Sequence, residues 1–323
     1  MIMNLKNVNS VLIIGIAGGL AKITAGLLIK RYPHLKIVGV DARKTSHLFP
    51  SKNIEIHQIP YTRSHFEKLF REYKFDVLIH LGRMGHASAI PKFDLAKRLD
   101  LNVMGTNRVL ELSLKFKIKK VLILSTFHVY GAYSDNPTYI EEEAPLRADL
   151  LHPELRDVVE MDQLATNWMY KNQGDQETVV LRPCNIVGPQ IKNTIGHYLK
   201  SPYSFIPIDF NPMFQFIHEF DMANVIIMSL EKIKSGVFNV APDEVISLKE
   251  AKKHTKNPGI KAPLFLVGPA LSLLGNPLGL PTYLVDYLKF SCILDNSKIK
   301  KTLGEFSFLR YKSKDALEML SFD

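Results

Sequence analysis

Short, almost wholly apolar runs punctuate the first part of the chain: SVLIIGI at 10–16, KIVGVD at 36–41, IEIHQI at 54–59, DVLIHLG at 76–82, KKVLILST at 119–126 and ETVVLRP at 177–183. Their β-branched content and short length predict strands. Longer stretches with helical spacing of apolar positions lie between them, and this alternation is the rhythm of a parallel sheet with crossover helices. Runs that are apolar at nearly every position predict helices on both faces of that sheet. After Pro183 the rhythm breaks, Pro and Gly become frequent, and the pattern turns mixed and irregular. The segment FIHEFDMANVIIMSLEKIKSGVFNVA at 216–241 predicts one strand, helix and strand that return to the sheet. The expected fold is α/β: a Rossmann-type doubly wound parallel sheet over 1–182, completed by 216–241, with a smaller C-terminal substrate lobe over 183–323 grafted onto it.

Composition narrows the partners. The chain has 323 residues and a formal charge of +9. Its basic residues are scattered, and the densest run, KFKIKK at 115–120, falls where a helix ends and cations offset the helix dipole. Nucleic acid is therefore not an expected partner. Cys184 and Cys292 are too few and too far apart for a disulfide framework or a metal site, so no metal is expected and a reducing cytoplasm fits. The stretch SVLIIGIAGGLA has the look of a secretory signal's apolar segment, but its glycine spacing favours a ligand-binding turn. Residues 262–285 carry no charge and are long enough to span a bilayer, yet Pro263, Pro269, Pro277 and Pro281 argue against a regular spanning helix. A buried lobe wall or a greasy substrate pocket is the expectation there, with contact to a membrane surface the lesser alternative.

The first strand runs into GIAGGLA, which opens the first helix. Gly15, Gly18 and Gly19 then stand where backbone amides approach a pyrophosphate at a helix N-terminus, with Ala21 as the third small position. Such a cluster alone also serves packing, but here the following strand ends in Asp41. An acid placed there accepts hydrogen bonds from an adenosine ribose and repels a 2′-phosphate, so NAD is favoured over NADP. Arg43, two residues on, is able to accommodate a phosphate and keeps NADP as the lesser alternative.

Five segments then occur in order: DVLIHLG at 76–82, LNVMGTNRVLELS at 101–113, STFHVYGA at 125–132, LRPCNIVGP at 181–189 and FIHEFDMANVI at 216–226. Together they resemble the extended short-chain dehydrogenases/reductases of the NAD-dependent epimerase/dehydratase family, from residue 11 to about 317, including a closing LDNSKIKKTLGEFSF at 294–308. That resemblance implies NAD-dependent chemistry on a small molecule, most often a sugar nucleotide and in some members a sterol-like alcohol. It implies cofactor contacts at Leu81, Gly82, Asn102 and Ser125, and a homodimer built from the helices carrying NVMGT and RDVVEMDQL. Thr126 matches the family's hydroxyl residue, which orients the substrate oxygen. Family dehydratases place Asp and Glu directly after it; Phe127 and His128 stand here, which speaks against sugar 4,6-dehydration. Pro60 and Tyr61 stand where the family has Asp and an apolar residue beside adenine.

The largest departure lies in HPELRDVVEMDQL at 152–164, a charged amphipathic helix. The family carries Tyr and Lys four residues apart on this helix, the Lys lowering the phenol's pKa so that Tyr works as acid or base. Counting back from LRPCNIVGP puts Glu154 at the Tyr position and Val158 at the Lys position. A shift by two places gives Arg156 and Glu160, which supply neither group. Tyr32 and Lys36 have the right spacing but flank Pro33 at the entrance to a strand, so they share no helical face. Two readings stand at this point. In one, the chain is an oxidoreductase or epimerase in which Thr126 holds the oxygen and Glu154 or His128 manages the proton. In the other it is a non-catalytic nucleotide-binding protein. The uncharged stretch adds a variant of the first, a reductase of a lipid or sterol-like alcohol.

Overall fold

The computed structural model describes residues 3–45, 51–82, 95–257, 259–266, 281–304 and 309–320. Six of the apolar runs are strands: β1 (Ser10–Ile14), β2 (Lys36–Asp41), β3 (Ile54–Gln58), β4 (Val77–His80), β5 (Lys120–Leu124) and β6 (Glu177–Pro183). Between them run α1 (Gly19–Arg31), α2 (Arg63–Glu72), α3 (Leu95–Arg98), α4 (Gly105–Lys115), α5 (Ala148–Leu151) and α6 (Arg156–Lys171), with π-helical turns at Leu99–Met104 ahead of α4. The C-terminal half contributes β7 (Asn185–Val187), α7 (Thr194–Lys200), β8 (Phe205–Pro207), β9 (Met213–Phe214), β10 (Phe216–His218), α8 (Glu219–Lys232), β11 (Gly236–Val240), β12 (Ile246–Ser247), α9 (Leu248–His254) and β13 (Ile260–Ala262).

The seven-stranded central sheet has the order β3-β2-β1-β4-β5-β6-β11, and every pairing in it is parallel. Alternate residues of each strand feed two separate cores, as the period of a pleated strand requires. Val11, Ile13, Val77 and Ile79 pack on one face with Leu20, Leu28, Met222 and Ile226 of α1 and α8. Leu12, Ile14, Leu78 and Ile123 pack on the other with Phe66, Val109 and Ala165 of α2, α4 and α6. This double burial explains the continuous apolar runs of the sequence. The chain moves outward in both directions from β1, so the topological switch lies between β1 and β4, where ligands of such sheets bind beyond the strands' carboxyl ends.

One expectation needs adjusting. Only β11 of the 216–241 segment joins the central sheet, beside β6; β10 pairs in parallel with β7 in a separate two-stranded ribbon. Two more ribbons, β9 with β12 and β8 with β13, build the irregular C-terminal lobe. Strands of two or three residues are too short to carry a periodic signal, so their partners were not readable from pattern. Of the uncharged stretch 262–285, residues 267–280 lie outside the described residues.

Candidate active site

The turn from β1 to α1 is held open by two glycines that face each other. Gly15 has φ +89°, and a Cβ there would sit 2.5 Å from the Cα of Gly82, at the end of β4. A Cβ on Gly82 would in turn meet the Tyr61 hydroxyl at 2.6 Å. Side chains at either position would fill the cradle, so glycine is required by conformation at one and by space at both. The first turn of α1 holds no acidic side chain, leaving its N-terminal amides free of local anionic competition. Gly19 has a second reason to be small: a Cβ there would strike the Gln190 carbonyl. The loop carrying Gln190 is fixed from its other side, where Gln190 N–H donates to the buried Glu219 carboxylate at 2.9 Å.

Asp41 is buried at the end of β2, and its carboxylate accepts from Ala17 N–H at 3.0 Å, which ties it to the glycine turn. Arg43 grips the same carboxylate through its backbone N–H at 2.9 Å, Nε at 3.0 Å and Nη2 at 3.1 Å. The Arg43 side chain is 68 % exposed, so the acid is the fixed partner and the guanidinium the movable one. Burial, reinforced by the Asp41 carboxylate, pushes the Tyr61 phenol well above its usual range and keeps it a neutral donor beside the turn.

A cavity of about 280 Å³ runs from this turn across the carboxyl ends of the strands. Gly15, Gly18, Gly19 and Leu81 line one end; Ser125, Thr126, His128 and Tyr283 line it farther on, with Lys192 and Asn185 from the C-terminal lobe. Thr126 caps the 3₁₀ turn Phe127–Val129 by accepting from His128 N–H at 3.4 Å. His128 is packed among aromatic rings: its centroid lies 4.2 Å from Phe127, 4.9 Å from Tyr287 and 5.5 Å from Tyr283. The buried Tyr287 donates to the His128 carbonyl at 3.4 Å, and burial raises its phenol far above the usual value.

Below the cavity floor lies a buried polar network. Ser125 Oγ donates to Asp162 of α6 at 2.5 Å, and Arg182 of β6 grips the same carboxylate through Nε at 2.9 Å and Nη2 at 2.6 Å. Arg182 Nη1 reaches Tyr130 at 2.8 Å, and Tyr130 donates to Asn239 at 2.8 Å. Ser125 thus lines the cavity while spending its hydroxyl on the scaffold. Asn102 stands apart from the cavity, its amide donating to the buried Asp157 at 2.5 Å beside Arg98, also at 2.5 Å from that carboxylate. The chain continues through Thr106, which donates to the Asn102 carbonyl at 2.6 Å and lies 3.1 Å from His80 at the end of β4.

At the N-terminal end of α6, Glu154 and Val158 stand in different surroundings. Glu154 lies in the 3₁₀ turn Pro153–Leu155, ahead of the helix, and accepts a hydrogen bond from the Thr282 hydroxyl. His152 sits 3.7 Å from Glu154 and 2.6 Å from Asp286. Val158 is 1 % exposed and belongs to the apolar core. Among the described residues Glu154 does not line the cavity, whereas Tyr283, the neighbour of its partner Thr282, does. Tyr283 and Lys192 escaped the sequence reading because no local spacing links them to the glycine turn. Most of the stretch that precedes Tyr283 lies outside the described residues.

Comparison with known proteins settles the family. The model of the NAD dependent epimerase/dehydratase family matches residues 11–241. This chain belongs to that family. An uncharacterized protein of Mycobacterium tuberculosis is 23 % identical over 282 residues, which cover 83 % of this chain and 72 % of the relative. In fold, the chain is similar to UDP-glucose 4-epimerase from Thermotoga maritima, solved with UDP-glucose, at a TM-score of 0.75, 17 % identity and 97 % coverage of both chains. It is also similar to dTDP-glucose 4,6-dehydratase from Bacillus anthracis, solved in complex with NAD, at a TM-score of 0.73 and 18 % identity, covering 97 % of this chain and 95 % of that one. Membership of the epimerase/dehydratase family agrees with the glycine turn, with Asp41 and with the sheet order.

Among the described residues no group of three His, Cys, Asp or Glu side chains is placed to hold a metal ion, and no helix is long and apolar enough to cross a membrane.

Proposed function

We propose that this chain binds NAD along the cleft and carries out hydride transfer at a secondary alcohol of a small molecule, with a nucleotide sugar as the substrate class. The observation that carries the reading is one continuous cavity joining the glycine turn to Thr126, His128 and Tyr283. The residues fit the cofactor: the Gly15–Gly82 approach leaves a cradle that a Cβ would fill, the α1 N-terminus is free of acids, and Asp41 is a buried acceptor at the end of β2. When bound, NAD supplies the hydride acceptor.

The chain's own residues do the remaining work. Asp41 accepts from the adenosine ribose, and Arg43, exposed on its outer side, sets how far a 2′-phosphate is tolerated. Thr126 Oγ1 orients the substrate oxygen. Tyr283 Oη holds the proton exchanged with that oxygen; Lys192 lines the same cavity, and His128 is the relay beside Tyr283. Glu154, turned to Thr282, serves as the anchor of the segment that presents Tyr283. This division of labour keeps an acid–base group in the cleft although α6 supplies none. The homodimer implied by the family would use the outer faces of α4 and α6, where Met104 at the helix entrance and Tyr170 are 48 % and 64 % exposed.

The test is turnover of a panel of UDP- and dTDP-sugars by wild type and Tyr283→Phe, with NAD binding measured in parallel. Epimerised or oxidised product in the wild type, and a loss of about 100-fold or more in kcat with unchanged NAD affinity in the variant, is the expected result. NAD binding without turnover of any sugar would favour the non-catalytic reading or a lipid-like alcohol as substrate. Full activity in Tyr283→Phe would return the proton to His128.

A further inference from the structure

The β8–β13 ribbon carries an apolar surface that the cleft chemistry leaves unused. β8 and β13 pair in parallel, Phe205 opposite Ile260 and Pro207 opposite Ala262, with Ile260 N–H donating to the Ser204 carbonyl at 2.8 Å and Ile208 N–H to Ala262 at 3.1 Å. On and around this ribbon Tyr203 is 69 % exposed, Ile208 55 %, Ile260 45 %, Phe265 73 % and Leu266 47 %. Five large apolar side chains gathered on one small ribbon form a patch of the kind that marks an interaction surface.

Charge chooses among its occupants. Lys253, Lys256 and Lys261 are exposed on the same segment. The single acid in 200–209 and 253–266 is Asp209, and its carboxylate is turned onto the Leu264 N–H, at 3.0 and 3.1 Å, where it holds the turn that presents Phe265 and Leu266. The patch therefore offers apolar tips and a rim of exposed lysines, with Asp209 turned onto the backbone and Glu318 beside His254. Lysines meet lipid phosphates while aromatic and aliphatic tips enter the acyl boundary, the combination used by proteins that rest on a membrane without crossing it.

We infer that the β8–β13 ribbon docks this protein reversibly onto an anionic phospholipid surface. The ribbon is joined to the cleft by α7, whose residues Thr194 and Ile195 line the cavity and whose length is roughly 10 Å by helix rise. Docking there would hold the cleft close to the lipid surface, and it does not depend on which substrate the cleft takes.

Co-sedimentation of the full chain with phosphatidylcholine vesicles, with and without phosphatidylserine, tests this directly. Wild type should partition at least about 10-fold more strongly onto the anionic vesicles, and the preference should fade as salt is raised. The double variant Phe265→Glu/Leu266→Glu should lose about 10-fold or more in binding to those vesicles, and Lys256→Glu/Lys261→Glu should lose the preference for anionic lipid. These positions are exposed, so circular dichroism of the variants should match wild type. No sedimentation of wild type with either vesicle, or undiminished binding by the Phe265/Leu266 variant, would overturn the proposal. A concentration-dependent dimer that the same variant abolishes, without vesicle binding, would give the surface to a second copy of the chain and equally overturn it.

Discussion

The two ends of the cleft are built by different means. At the cofactor end, β1, the glycine turn, α1 and β2 follow one another within the first 41 residues, and Asp41 is tied to the turn by a bond to Ala17 only 24 positions away. At the far end, Thr126 and Tyr283 line the cavity from segments 157 positions apart, and Thr282, next to Tyr283, bonds Glu154 across 128 positions. The first end is a local unit whose chemistry is dictated by neighbours in sequence. The second is an assembly of distant segments, so a side chain that lines it is fixed by contacts far away in the sequence. Between the two ends, α6 carries Asp157 and Asp162 fully buried, each bonded to an arginine of another element.

The comparison is broken most severely through the shared floor. Arg182→Met leaves Asp162 buried without its main partner, so the variant should lose about 3–5 kcal/mol of stability in urea unfolding, with both ends of the cleft lost together. A value below about 1 kcal/mol would mean that the floor is not what joins them.

Acid should act next. Burial holds both His80, at the end of β4, and His218, at the entrance to α8, down to about 4 from an ordinary 6.5. Both are neutral in the folded chain and protonate more readily when it unfolds. Their contribution is complete above about pH 6.5 and is lost progressively as the pH falls toward about 4, to the extent of about 3 kcal/mol for His80 and less for the more solvent-screened His218. Unfolding midpoints measured across that window should fall, and the fall should be shallower in His80→Gln. A flat profile would contradict the burial argument.

Smaller effects separate the two ends. Asp41→Asn should weaken NAD by about 2 kcal/mol, roughly 30-fold, and leave the fold intact, because it removes a charged acceptor at one end alone. Arg43→Ala should leave NAD within a few-fold and weaken NADP further, since the guanidinium that tolerates a 2′-phosphate is gone. The smallest change is expected from Glu154→Gln, which retains an acceptor for Thr282: stability within about 1 kcal/mol and NAD affinity unaltered. A collapse of turnover in that variant alone would restore Glu154 as the proton acceptor.

The sequence was readable wherever the physics was local. Runs such as SVLIIGI and DVLIHLG had to be strands because both of their faces are buried, and the glycine turn was legible because Gly15 alone tolerates its backbone conformation. Ser125 was legible as a residue of the cleft, but not that Asp162 engages its hydroxyl, nor that Asn102 is drawn away from the cleft to Asp157, since hydrogen bonds across 37 and 55 positions leave no periodic trace. Tyr283 and Lys192 were hidden for the same reason. For Glu154, counting residues gives a position on the chain but not its partner, Thr282 of the C-terminal lobe.

The central claim is that the cofactor end is a working NAD site. Calorimetric titration of the purified chain with NAD, and separately with NADP, tests it most directly, after any cofactor retained through purification has been removed. The account predicts saturable binding of one NAD per chain, with NADP at least about 10-fold weaker because of Asp41. Absence of binding by both dinucleotides would contradict it.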